Sequence, residues 1–273
     1  MPTTMLDALS YPFFQRALIA GILVGFLAGY YGVFIVQRGL SFLGSGLAHA
    51  AFGGVALGIL LGMEPLWIAV PFTVVVAIGI TWVREKTTLG RDTAVGIFFS
   101  VSMALGIIFL ALKRDYSADA FSYLFGSILS VRNTDLWITG SMVLIALLTW
   151  PLWGKWAYAT FDRELAVSDR LQVVRHDYLL SILVAVTTVV AVKVVGIVLI
   201  AAFLVIPPAT SRLAARSFHT MTLYSVLMGV FSAVAGLFLS YWWDLPSGAL
   251  IILVQAVLFF LFLGYRLLAG HTH

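Results

Sequence analysis

The sequence predicts an all-α polytopic membrane protein, and three observations carry that prediction. Apolar residues fill 62% of its 273 positions while Asp, Glu, Lys and Arg together fill 10%, too little polar surface for an ordinary soluble domain. The apolar residues fall in runs of the ~17–25 residues that a helix needs to cross a bilayer. Between the runs lie short segments that hold most of the basic residues, the arrangement that orients membrane helices.

Nine spans follow in order. The first, 17–36, carries Gly21, Gly25 and Gly29 at four-residue spacing, a stripe on which another helix can approach closely. The second, 40–62, has a similar stripe in Gly46, Ala50, Gly54 and Gly58, and the two stripes are expected to pack against each other. Spans at 66–83 and 93–112 come next. Asp92, at the start of the latter, is placed as a structural cap that accepts hydrogen bonds from free amides and meets the positive end of the helix. Residues 120–131 are too short to span and are expected to form a re-entrant or interfacial helix. A fifth span covers 134–151.

The longest polar stretch, about 152–177, includes the charged run Phe161-Asp-Arg-Glu-Leu-Ala-Val-Ser-Asp-Arg170 and reads as a solvated linker helix. The apolar run 178–211 is too long for one untilted helix and is interrupted at Lys193 and Gly196, so it divides into 178–193 and 196–211. Kept whole as a kinked helix, it lowers the count to eight. The second of these spans is expected to end at Pro207-Pro208, followed by a turn bearing Arg212 and Arg216. Two spans, 220–241 and 247–267, complete the chain. No stretch is long enough for a separate soluble domain, so residues 1–273 are expected to form a single membrane domain.

Charge sets the expected orientation. With the N-terminus outside and the C-terminus inside, eleven of the sixteen Lys and Arg residues fall on the cytoplasmic side. Basic loops thereby account for the net charge of +4 without any nucleic-acid partner. The first sixteen residues lack the pattern of a removable signal peptide. Absence of cysteine excludes disulfides, thiolate metal sites and cysteine nucleophiles. Neither a phosphate-cradling Gly-x-x-x-x-Gly-Lys-Ser/Thr loop, nor His-Glu-x-x-His, nor a Gly-x-Ser-x-Gly elbow occurs, so no catalytic residue is assigned and any ATP must be hydrolysed by another chain.

His49 is the polar residue that points to function. Helical spacing puts it on one face with Ser45 and Gly53, about eight residues or roughly 12 Å into its span. An imidazole at that depth marks a pathway or ligand residue. The competing reading is a packing histidine hydrogen-bonded to a neighbouring carbonyl.

Several motifs together resemble the permease subunit of zinc/manganese-type ABC importers over nearly the whole chain. They are Arg38-Gly-Leu-Ser-Phe-Leu-Gly-Ser-Gly-Leu-Ala-His-Ala50, Arg91-Asp-Thr-Ala-Val-Gly-Ile97, Tyr123-Leu-Phe-Gly-Ser127, Lys193-Val-Val-Gly196 and Leu204-Val-Ile-Pro-Pro-Ala-Thr-Ser-Arg212. The later half also resembles the more distant cobalamin and siderophore permeases. This resemblance implies the cobalamin-type permease fold, a homodimer joined to two ATP-binding-cassette ATPase subunits, and an extracellular metal-binding protein that delivers the cargo. It implies no permanently bound cofactor, with zinc or manganese as transported ion and ATP on the partner. By the same resemblance the segment with Pro207, Pro208, Arg212 and Arg216 contacts the ATPase, and His49 with Ser45 forms a transient metal site. Ser45 departs from the family pattern, which has aspartate there, so one hard anionic ligand is missing. Two alternatives stand beside the metal-ion importer: an ABC permease for a chelated metal or siderophore-like solute, and a secondary transporter, for which intramembrane carboxylates are lacking.

Overall fold

A computed structural model gives the fold of residues 8–113, 126 and 131–269. Among these residues all regular structure is helical: α1 (Pro12–Gln37), α2 (Ser41–Leu61), α3 (Pro65–Lys86), α4 (Arg91–Leu112), α5 (Asn133–Leu148), α6 (Trp153–Phe161), α7 (Arg163–Ser168), α8 (Val173–Val195), α9 (Ile197–Ala214), α10 (Phe218–Trp243) and α11 (Ser247–Ala269). Eight of them, all but α5, α6 and α7, are long and apolar enough to cross a membrane. The re-entrant helix expected at 120–131 lies outside the described residues apart from Gly126 and Val131.

The expected fifth span, 134–151, is bent at its end. Residues 133–161 form two helices that meet at 45° across a 3₁₀ turn, Trp150–Leu152. Pro151 explains the break, because it has no N–H for the preceding turn and its ring clashes with the carbonyl four residues back. The division of 178–211 is present, and a single residue makes it. Gly196 holds φ 89° and ψ 154° between α8 and α9, a backbone state open to glycine and costly for other residues.

The glycine stripes of α1 and α2 do not meet as expected. That of α1 lies on α10, where a Cβ at Gly25 would stand 2.7 Å from the carbonyl oxygen of Gly229 and one at Gly29 would stand 2.7 Å from that of Ser225. Ser225 adds a hydrogen bond from its hydroxyl to the Gly29 carbonyl, 2.9 Å. On α2 the stripe divides between two neighbours. Gly54 and Gly58 admit α3 at Ala69 and Pro65, whereas Gly46, together with Gly53 from the His49 face, admits α4 at Val95 and Ser102. Small residues fix how closely helices can approach, and the residues opposite decide which helix does.

Pro207 and Pro208 do not end their span either. Helix α9 runs through both to Ala214. The carbonyl of Leu204, which loses its usual donor because residue 208 is proline, instead faces Gly32 of α1 so closely that a Cβ there would collide with it. The prolines face inward and are buried, as are Thr210 and Ser211 just beyond them.

The stretch at 152–177 is solvated only in part: the charged run 161–170 is exposed at every position but Ala166, whereas the helix before it packs on the bundle. Trp153 and Trp156 of α6 are buried, and Phe34 of α1 packs edge-on against Trp156 with ring centroids 5.7 Å apart. Ala166 of α7 is buried against Ala159 and Val173, giving the arm a small core of its own. Its hydroxyls and acids close local turns: Asp162 accepts from the Leu165 N–H at 2.9 Å, and Tyr158 donates to Asp169 at 2.6 Å.

Candidate functional site

Helix α2 brings His49 to the seam with α4. Gly46 and Gly53, one turn before and after it, are the positions where α4 comes closest, so the imidazole sits where the two helices are pinned together. Its ring lies against Phe99 of α4, centroids 4.4 Å apart and planes inclined by 52°. Both His49 and Ser45 are half-buried.

Ser45 acts on His49 through its backbone. The Nδ1 atom of His49 is 2.9 Å from the Ser45 carbonyl oxygen. A carbonyl only accepts, so the bond requires the proton on Nδ1 and leaves the lone pair of the neutral ring on Nε2. That is the arrangement in which a ligating histidine is oriented by a second interaction. No hydrogen bond to the Ser45 hydroxyl is present among the described residues, and no group of three or more His, Asp and Glu side chains there could hold a metal ion. Imidazole and hydroxyl are thus a sparse donor set within one chain.

Asp92 belongs to the first turn of α4, but the N-cap is Gly90 and makes no side-chain cap bond. The Asp92 carboxylate is exposed and accepts no cap hydrogen bond, so what remains of the expected cap is its charge near the positive helix end.

Arg212 and Arg216 are exposed, in contrast to Pro207 and Pro208. Ser211 holds the last turn of α9 by donating to the Pro208 carbonyl, 2.8 Å. After Arg216, Ser217 and Thr220 form a reciprocal capping box that starts α10. The two arginines therefore flank a short connection fixed at both ends.

At the same end of the bundle stands an ion network that sequence reasoning missed. Asp177, at the start of α8, is 4% exposed and receives Arg38 on one carboxylate oxygen and Arg163 on the other, both at 2.5 Å. Arg163 also forks onto both oxygens of Glu85, each at 2.8 Å. Arg38 further donates to the Thr160 hydroxyl at 2.8 Å and to the Trp156 carbonyl at 3.4 Å. Burial opposes the charge on Arg163, but its hydrogen bonds and attraction to Asp177 and Glu85 prevail and raise its pKa above the ordinary value. One buried carboxylate thus ties together the end of α1, the end of α3, the arm α6–α7 and the start of α8. Arg38 lies within a quoted motif, yet its partner is 139 residues away, beyond any local pattern.

Comparison with known proteins places this geometry. The family model "ABC 3 transport family" matches residues 10–266. The manganese transport system membrane protein MntC of Listeria monocytogenes is 37% identical over 254 residues, covering 93% of this chain and 90% of that protein. The high-affinity zinc uptake system membrane protein ZnuB of Haemophilus influenzae is 34% identical over 251 residues, covering 92% and 96%. The solved structure of PsaBC from Streptococcus pneumoniae in complex with Fab superposes with a TM-score of 0.84 at 37% identity, covering 94% of this chain and 93% of that one. An all-helical membrane bundle, a family match over almost its whole length and relatives at this identity together make the chain a member of the ABC 3 transport family.

Proposed function

We propose that the chain is the permease subunit of an ABC importer that carries a divalent transition metal, manganese or zinc, across the cytoplasmic membrane. The observation that carries this reading is near full-length similarity to relatives named for manganese transport and zinc uptake. Energy comes from separate ATPase subunits, and an extracellular binding protein supplies the ion. The basic end, with Arg38, Arg163, Arg212 and Arg216, lies in the cytoplasm, in keeping with the distribution of positive charge.

Transport runs past His49. Its Nε2 lone pair makes a single neutral donor, suited to passing contact with an ion rather than to a resident site. Two copies of the chain complete the path, since α4 beside His49 is the least buried of the eight spans and offers an apolar outer face to a second copy. At the cytoplasmic end Arg212 and Arg216 receive the ATPase. Helix α9 relays its movement upward, because Leu204 meets Gly32 of α1 and also Gly44 of α2, the helix that carries His49.

A second reading, import of a chelated metal, is favoured by the sparse donor set around His49, because a chelate brings its own ligands. Uptake by the complete complex in proteoliposomes, with manganese, zinc and chelated metal offered in competition, separates the two. His49→Ala is expected to abolish uptake of the free ion while the complex stays assembled. Normal uptake by that variant removes His49 from the path. In Ser45→Asp, a carboxylate one turn from His49 is expected to tighten binding of a free ion and slow its release. Charge reversal at Arg212 and Arg216 together is expected to detach the ATPase or uncouple its hydrolysis, and metal-stimulated hydrolysis at the normal rate contradicts that assignment.

A further inference from the structure

The arm α6–α7 carries apolar side chains that the bundle leaves largely exposed. Phe161, Leu165 and Val167 are 60%, 50% and 56% exposed, yet they alternate with Asp162, Arg163, Glu164 and Asp169, whose charges keep this segment out of the hydrocarbon layer. Exposed apolar side chains on a charged segment outside the membrane mark a contact surface. The surface adjoins the turn assigned above to the ATPase. Phe161 packs against Phe218, rings perpendicular and centroids 5.3 Å apart, and Phe218 follows Arg216 by two residues. Through Phe218 the arm accordingly adjoins the connection that bears Arg212 and Arg216.

The arm is also firmly wired to the bundle. Arg163 leaves the arm to hold Asp177 and Glu85, and Arg38 reaches back from the end of α1 to Thr160, Trp156 and Asp177. Only Gly39 and Leu40 separate Arg38 from α2. A displacement of the arm therefore pulls on the turn that leads into the His49 helix through charged, partly buried contacts, which resist stretching more than apolar packing does.

We propose that residues 153–172 form a second docking surface for the ATPase subunit, adjoining the Arg212–Arg216 turn, and pass its movement through Arg163, Asp177 and Arg38 to the start of α2. This rests on the reading that an ATPase binds the basic end. The native chain has no cysteine, so a benzophenone tethered to Leu165→Cys, or separately to Arg216→Cys, reports one position in the complete complex once the ATPase chain is freed of thiols. Photo-adducts to the ATPase from both positions are expected. An ATPase adduct from position 216 with none from 165 overturns the second surface and leaves the proposed function standing. Adducts from 165 to lipid alone overturn it in favour of a membrane contact. If neither position reaches the ATPase, both readings fall together. For the wiring, Arg163→Gln is expected to keep the adduct from position 165 while metal moved per ATP hydrolysed declines, and an unchanged ratio in a folded complex removes the relay.

Discussion

The hydrogen bond from His49 Nδ1 to the Ser45 carbonyl leaves Nε2 as the ring nitrogen with a free lone pair, and it does so whatever side chain residue 45 bears. Replacing Ser45 by alanine is therefore expected to preserve His49 orientation and most transport, measurable as uptake by the reconstituted complex. Asp177 is the opposite case, because its side chain itself holds two arginines. Asp177→Ala removes the carboxylate that Arg38, 11% exposed at its side chain, holds at 2.5 Å, and breaking a buried pair costs about 3–5 kcal/mol. Glu85→Gln removes a partner of the half-exposed Arg163 and is expected to cost about 1 kcal/mol or less. Thermal unfolding of the two variants in detergent tests the ordering, and equal losses contradict it. At Gly25 any side chain meets the backbone of Gly229, so Gly25→Val is expected to destabilise the α1–α10 contact by roughly 1–3 kcal/mol, as overpacked positions do.

Prolines act differently in each helix that contains them. In the bent pair α5–α6, Pro151 coincides with the 45° change of direction, and the break also turns Trp153 and Trp156 into the core. Pro151→Ala tests whether the missing N–H or the tryptophans hold the bend. Restoring the N–H is expected to straighten the pair, lengthening the distance between spin labels at Trp137→Cys and Lys155→Cys; an unchanged distance assigns the bend to tryptophan packing. In α9 the proline pair leaves the helix continuous; of the two carbonyls it deprives of a donor, that of Leu204 faces α1, and its rings are buried. Gly196 does what the prolines do not, separating α8 from α9 through one positive φ.

At the scale of the whole molecule, the exposed apolar residues of α4 and those of the arm differ in physical meaning. Along α4 the exposed residues Ile97, Val101, Ala104 and Ile108 follow helical spacing on a single face, at membrane depth, where lipid or a second copy can cover them. Oxidation of Val101→Cys in membranes is expected to yield a covalent dimer if two copies meet there. A chain that remains monomeric under oxidation moves the dimer contact to another helix. On the arm, by contrast, the apolar residues stand among charges and call for a protein partner.

By itself the sequence determined the membrane class, the approximate spans and the break at Gly196, because run length and glycine are local signals, and it singled out His49 as a lone imidazole within a span. Only the tertiary structure decided what those residues touch. Glycine stripes state that some helix comes close, yet which one depends on Ser225, Val226 and Gly229 in α10, or on Ala69 and Val95 in α3 and α4. The proline pair of α9 signals a break by local rules, and packing against Gly32 overrides it. The charged run of the arm is solvated as it reads, but its ion pairing is not legible, because counter-charges distant along the chain carry no periodic mark, and Arg38 and Arg163 find Asp177 only once the helices have assembled. The division is physical: backbone conformation and transfer into lipid are fixed within a few turns of chain, whereas close approach and ion pairing are properties of two surfaces at once.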